Sequence, residues 1–389
     1  MFCPFPRTAQ MAAAVSLAAL HALPALAFEP SGNDVADAFL TLLDTKEGKV
    51  ESYSLVDVSG NVVTIRDLVI TREDGKNAKV DIATTDLIDG AVQGNGRVKL
   101  SGLEMEDLTL TADDGGMTLK SLKATDLVLP SAEEVKADKP PVGPGYRTLE
   151  ISTVQINDEG GKIADIDRIR SSIGAMDGDL PTEGEFSVSG ARIDVKQLEN
   201  KEAKSLTELG YETLTLNISG SGKWDPDTST LSVPELKIDA QEAASLSLSL
   251  VLGGVSREVV TQLNQKSSKP EEAMALLQTV TIQNAKIRLD DASLTGRVLD
   301  QEAKKAGVDT PAYVAGLTGS LPPMLGMLQN KELENQVSQA VTQYLNTPGS
   351  LEINATPGAP VPMAQIMGTA MLAPHMIPQM LAVSVTANQ

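Results

Sequence analysis

Cysteine and histidine are nearly missing from this chain. Cys3 is the only thiol, and imidazole occurs at His21 and His375 alone. Aromatic residues make up 3% of the sequence, with one tryptophan, Trp224. Basic residues are outnumbered, 32 against 52 acidic, for a formal charge of −20. Each shortage excludes something. A single cysteine cannot make an intramolecular disulfide, so stability has to come from packing. Few aromatics disfavour a sugar-binding cleft that stacks rings. A strong acidic excess argues against binding nucleic acid or an anionic membrane through bulk charge. No G-x-G-x-x-G follows a strand into a helix and no Walker A motif is present, so no nucleotide site and no cofactor is implied. Nothing in the chain singles out an enzyme's reacting groups.

The apolar run from Met11 is broken by His21 and Pro24 and is shorter than the ~20 residues a spanning helix needs. It reads instead as the core of a secretory leader covering residues 1–27. Arg7 is the only charge before Glu29, and Ala25-Leu26-Ala27 supplies a small-x-small cleavage site. Cleavage after Ala27 removes Cys3 and His21 and leaves no transmembrane helix. Cys3 precedes the apolar run, which argues against a lipoprotein. The expected location is the periplasm of a bacterial envelope.

Behind the leader, much of residues 50–290 alternates apolar and polar with period two, as strands with one buried face do. Leu214, Leu216 and Ile218 alternate with Thr215 and Asn217; Leu246, Leu248, Leu250 and Leu252 follow the same rule. With the turn at Trp224–Thr230, residues 212–252 predict three antiparallel strands. Asp67-Leu-Val-Ile-Thr71, through Asp74-Gly75 to Thr85-Asp86-Leu87, recurs forty residues later as Asp107-Leu-Thr-Leu-Thr111, through Asp114-Gly115 to Thr125-Asp126-Leu127. Each copy reads as a hairpin, and the two as neighbours in one sheet. Residues 34–45 predict an amphipathic helix through Val35, Phe39, Leu42 and Leu43. Shorter helical connectors are expected at 197–209 and 257–265. Lys139–Gly145, rich in proline and glycine, reads as a linker between a first region (28–138) and a second β-rich region (146–290). A third region, 291–389, reads as α+β. The fold class is mainly β with an α+β C-terminal part: an elongated antiparallel sheet or a sandwich of amphipathic hairpins, capped by helices.

The leader, the hairpins DLVIT…DLI and DLTLT…DLV, and the stretch SGSGKWDPDTSTLSVPELKI together resemble the bacterial AsmA-like envelope proteins and related periplasmic proteins. That resemblance spans residues 50–290 as a style of strand pattern and carries no catalytic motif. It implies a long grooved β-sheet and, for several members, lipid movement or envelope maintenance.

The most unusual stretch is the last. Residues 353–389 contain no Asp, Glu, Lys or Arg. Met363, Met367 and Met371 recur every four residues, and Met376 and Met380 repeat the spacing beside His375. The plainest expectation is a buried helix and a central strand completing the core. A methionine-lined surface for an apolar, lipid-like ligand is the functional alternative, because the side chain is flexible and polarizable. Thioethers beside an imidazole also suit Cu(I), with Met367 and His375 as candidate ligands. Acidic groups at Asp177, Asp179 and Glu183, at Asp225 and Asp227, and at Asp113-Asp114 read as solvated turns, since none has the spacing of a calcium loop. Ser219-Gly-Ser-Gly222 sits in a strand-turn context rather than a nucleophile elbow. The expectation is a non-enzymatic envelope protein holding an apolar ligand or, alternatively, an interaction module that binds an envelope protein.

Overall fold

The structure is a computed structural model that describes residues 28–44, 48–73, 77–137, 145–198, 200–265 and 275–389. The expected leader, the Asp74-Gly75 turn and most of the Pro/Gly stretch lie outside those residues. The fold is mainly antiparallel β, with helices gathered in the C-terminal part. It divides into two compact units, with the crossing between residues 174 and 200. The Pro/Gly stretch does not separate them. The strands on either side of it, Gly115–Leu129 and Thr148–Asp158, pair with each other from Thr125↔Thr148 to Gly115↔Asp158. Nor does residue 290 mark a boundary, because Ala285–Asp290 pairs with Ser350–Ala355. Cross-strand hydrogen bonding outweighs local composition in both places.

The first unit opens with α1 (Asp34–Leu43). Asn33 caps it by accepting from the backbone N–H groups of Val35 and Ala36, and Asp34 and Asp37 suit its positive N-terminal end. One open antiparallel sheet follows: β1 (Lys49–Ser52), β2 (Leu55–Ser59), β3 (Val62–Glu73), β4 (Asn77–Ile88), β5 (Ala91–Val92), β6 (Val98–Ala112), β7 (Gly115–Leu129), β8 (Thr148–Asp158) and β9 (Gly161–Ile173). A short helix, α2 (Ala132–Lys136), follows β7. The repeat seen in sequence is the pair of hairpins β3–β4 and β6–β7, joined through β4 and β6. Two short strands, β10 (Met176–Asp177) and β11 (Leu180–Pro181), precede β12 (Glu183–Asp194), which pairs with β9.

The core of this unit is built from rows of side chains running across the strands. Leu68, Ile82, Leu108, Leu119 and Val154 are successive partners, and all are buried. Ala36, Phe39 and Leu40 of α1 belong to the same core. Fully burying one such leucine contributes about 1.5–3 kcal/mol. The alternation within a strand is not strict. Along β7 the buried apolar residues are Met117, Leu119, Leu122, Ala124, Leu127 and Leu129, a step of two followed by a step of three.

Left-handed residues account for the extra steps. Asp67, Asp107 and Thr153 have φ of 50°, 51° and 51°, and Gly190 has 62°. They stand on β3, β6, β8 and β12, opposite Ala83, Lys120 and Asp167, where each ladder skips one pair. Asp89 and Asp126, both at φ 49°, form a second such line through Ser101, which donates to Asp89 at 2.7 Å. Aspartate is among the few non-glycine residues that adopt this conformation at low cost. At Gly190 a Cβ would fall 2.1 Å from an Asp167 carboxylate oxygen, so a larger residue there would push the Asp167 side chain aside.

The second unit begins with α3 (Lys201–Glu208), capped by Asn200. Strands β13 (Thr213–Asp225), β14 (Thr230–Ala240) and β15 (Ala244–Gly253) form the expected meander, followed by α4 (Arg257–Gln265) and β16 (Thr281–Asp291). Three helices follow: α5 (Leu294–Ala306), closed by Gly307 at φ 70°, α6 (Thr310–Leu325) and α7 (Lys331–Asn346). Strand β17 (Ser350–Ala355) then pairs with β16, the short β18 (Val361–Pro362) with the start of β16, and β19 (Val383–Ala387) with β17. Helices α8 (Met363–Leu372) and α9 (Ile377–Met380) lie between β18 and β19. The C-terminal strands therefore extend the sheet within the second unit. Trp224 anchors this unit, buried and donating its indole N–H to the Val255 carbonyl at 2.7 Å.

Candidate apolar-ligand site

Period-two strands build both units, but their apolar faces end differently. In the first unit the central strands β3, β4, β6 and β7 bury most of theirs, while Leu55 and Val58 of β2 and Phe186 of β12 stay 44–55% exposed. In the second, no residue of β14 or β16 is fully buried, and Gly253 alone is in β15. Ile238, Leu246, Ile287 and Ile353 are between 41% and 45% exposed. Register places them together: Ile238 pairs with Leu246, Leu248 with Ile287, and Ile287 with Ile353. They form a contiguous apolar stripe across β14–β17.

Helix α7 covers one margin of the same face. Its Ala340 and Tyr344 pack with Val385 and Ala387, and Leu289 and Leu351 lie against that cluster. Tyr344 is fixed there by a 2.5 Å hydroxyl contact with Thr295, and burial raises its phenol above the ordinary tyrosine range. Cover stops at this margin. The opposite face of the sheet is polar, since Glu352 meets Lys286 at 2.8 Å and Arg288 at 3.3 Å. Lys286 is the main cause that holds the Glu352 carboxyl down to about 2, with Asn354 and Arg288 adding to it. Charge on one side and uncovered aliphatic surface on the other give the stripe a definite facing. Contiguous exposed aliphatic surface marks interaction sites more often than scattered single residues do.

The methionine-rich end departs from the expected buried helix. No residue of α8 is buried, Met371 and Leu372 are 86% and 88% exposed, and Met376 is 50%. Met363 and Met380 are half-buried, and Met367 is exposed. The reason lies in how α8 leaves the sheet. Strand β18 ties only Val361 and Pro362 to β16, Met363 donates its N–H to the Val280 carbonyl at 2.8 Å, and the helix then touches the Leu277–Thr279 turn without being covered by it. His375 stands in a short 3-10 turn, Pro374–Met376, just after the helix that carries Met367. Among the described residues no three His, Cys, Asp or Glu side chains cluster as metal ligands.

The remaining candidates occupy turns and strands. Asp225 accepts from the Thr228 N–H, chiefly, and from the Asp227 N–H, which lowers its carboxyl below the usual range. Asp177 pairs with Arg257. Ser219–Gly222 lies within β13. The exposed stripe itself escapes sequence reasoning, because Leu246, Leu248 and Leu250 alternate with serines as any covered strand might. Among the described residues no helix is long and apolar enough to cross a membrane.

A family model described as "Uncharacterized protein" matches residues 237–388. The match falls within the second unit, from the middle of β14 to β19, and takes in all four stripe residues and the methionine-rich end. No curated protein matches the chain.

Proposed function

We propose that this chain is a non-enzymatic protein of the bacterial cell envelope that holds a lipid-like, apolar ligand against the strands of the second unit. The observation that carries this reading is the stripe of Ile238, Leu246, Ile287 and Ile353. Leaving such residues over 40% exposed forgoes on the order of 1 kcal/mol each relative to full burial, a cost that a ligand recovers. The stripe is aliphatic and without hydrogen-bonding groups, which suits an acyl chain rather than a polar metabolite. The leader pattern of residues 1–27 supports export, and the absence of a catalytic constellation in the sequence supports a binding role.

Native mass spectrometry of the protein isolated from its host tests the reading, together with uptake of a fluorescent fatty acid. A co-purified mass of lipid size is expected, with uptake lowered about tenfold or more in Ile287→Glu. A bare polypeptide mass combined with no uptake overturns it.

A further inference from the structure

Two stretches of the second unit lack Asp, Glu, Lys and Arg altogether: residues 310–330 and 353–389. They are distant in sequence, yet the structure brings their tips together. The 3-10 turn Gly326–Leu328, at the end of α6, lies beside the 3-10 turn Pro374–Met376, just after α8. This end carries the most exposed large apolar side chains of the chain's described residues. Met324 and Met327 are 65% and 79% exposed, in addition to Met371, Leu372 and Met376.

We infer that this uncharged tip inserts into the surface of a zwitterionic phospholipid bilayer. Three features select that occupant. Methionine and leucine are flexible and apolar, so they fill irregular gaps between acyl chains without a fixed partner shape. Neither stretch has Trp or Arg, and Tyr313 is their one aromatic residue, so they carry few of the anchors that dominate protein–protein interfaces. Its polar side chains are uncharged (Thr318 and Ser320 on α6, Gln365 and Thr369 on α8) and are interspersed with glycines. A helix without basic residues gains nothing from anionic headgroups, and the acidic remainder of the chain is repelled by them. Binding then depends on apolar insertion at packing defects, which are more abundant on curved bilayers. The tip is distinct from the stripe on β14–β17, so this inference goes beyond ligand holding and does not depend on it.

Flotation of the protein, as isolated from its host, with phosphatidylcholine vesicles tests the inference. Binding is expected to be stronger on small vesicles than on large ones and unchanged by added salt. The double variant Met371→Glu with Leu372→Glu is expected to lower it about tenfold or more. Both side chains are nearly fully exposed, so the fold should persist, as Trp224 fluorescence would confirm. Fatty-acid uptake should be unaffected in that variant, whereas Ile287→Glu should still float. Failure of wild-type protein to float, undiminished flotation of the double variant, or binding that requires anionic lipid and vanishes in salt overturns the inference. So does a dimer in light scattering that the double variant dissociates, because the tip then serves a second copy of the chain.

Discussion

Asp107 holds its backbone at φ 51° directly opposite Lys120 on the neighbouring strand, and the Lys120 ammonium lies 2.7 Å from its carboxylate. One residue thus bends a strand and ties it to the next. Asp167 and Arg192 make a comparable tie at 2.6 Å on the same line, next to Gly190. Asp67 does so by accepting from Ser54 at 2.6 Å.

This arrangement separates conformation from charge by mutation. Asp107→Gly keeps access to the left-handed region and loses only an exposed ion pair, for a cost within about 1 kcal/mol. Asp107→Val forces a β-branched residue there and is expected to cost about 1–3 kcal/mol. Urea denaturation of the two variants measures the difference. Equal losses would show that the bend is not set by this residue.

Thr85 is fully buried in the row of Ile65, Met105, Leu122 and Ile151, and among the described residues its hydroxyl has no hydrogen-bond partner. Thr85→Val replaces that hydroxyl with a methyl of similar volume and is expected to stabilise the protein by about 1 kcal/mol. Thr85→Ser keeps the hydroxyl, loses the methyl, and is expected to destabilise by a similar amount. Paired thermal melts check both signs.

Acid should weaken both units through two carboxylates. Arg97 forks onto Glu134 at 2.6–3.0 Å, and Ser131 donates its backbone N–H to the same side chain in a capping box. The Arg97 bonds chiefly, with Ser131, bring the Glu134 carboxyl down to about 2 from an ordinary 4.5. Glu352 likewise falls to about 2. A depressed folded-state pKa means that the stabilisation is complete above the unfolded value and is lost as pH falls through the folded one. The window is therefore pH 4.5 down to 2. Glu134→Gln and Glu352→Gln are each expected to cost about 1–2 kcal/mol at neutral pH and to flatten that acid limb. Urea midpoints between pH 7 and 2 test this.

Trp224→Phe removes the indole N–H and leaves the Val255 carbonyl unpaired at a buried position. The expected cost is about 1–3 kcal/mol. Restoring the bond is not open to Trp224→Leu, which should lose more through the smaller ring-less side chain. Chemical denaturation followed by circular dichroism suits both variants, since the only tryptophan is gone.

Much of the secondary structure is legible in the chain. The meander of β13–β15, the helix α1 and the connector helix α4 all stand where periodicity puts them. The Asp67 and Asp107 repeat is also visible as a pattern, but its cause is not. Asp67 and Asp107 are both left-handed, whereas of the matched pair Asp86 and Asp126 only Asp126 is. Asp86 instead accepts from Thr64 at 2.6 Å. Identical residues at identical spacing take different backbone conformations because the neighbouring strand differs. Helix α6 escapes notice because its apolar and small residues form no sharp stripe, and Pro322 and Pro323 lie inside it.

By itself the sequence determined which residues alternate, where strands stop, and that a single cysteine, Cys3, leaves no disulfide within the chain. Only the tertiary structure decided which apolar stripes are covered. Leu68 and Ile65 disappear beneath neighbours, while Leu246 and Ile287, equally aliphatic and equally alternating, stay open. A strand's two faces are encoded locally by the two-residue period, but burial depends on what distant elements lie over each face, and the side chain itself does not specify that.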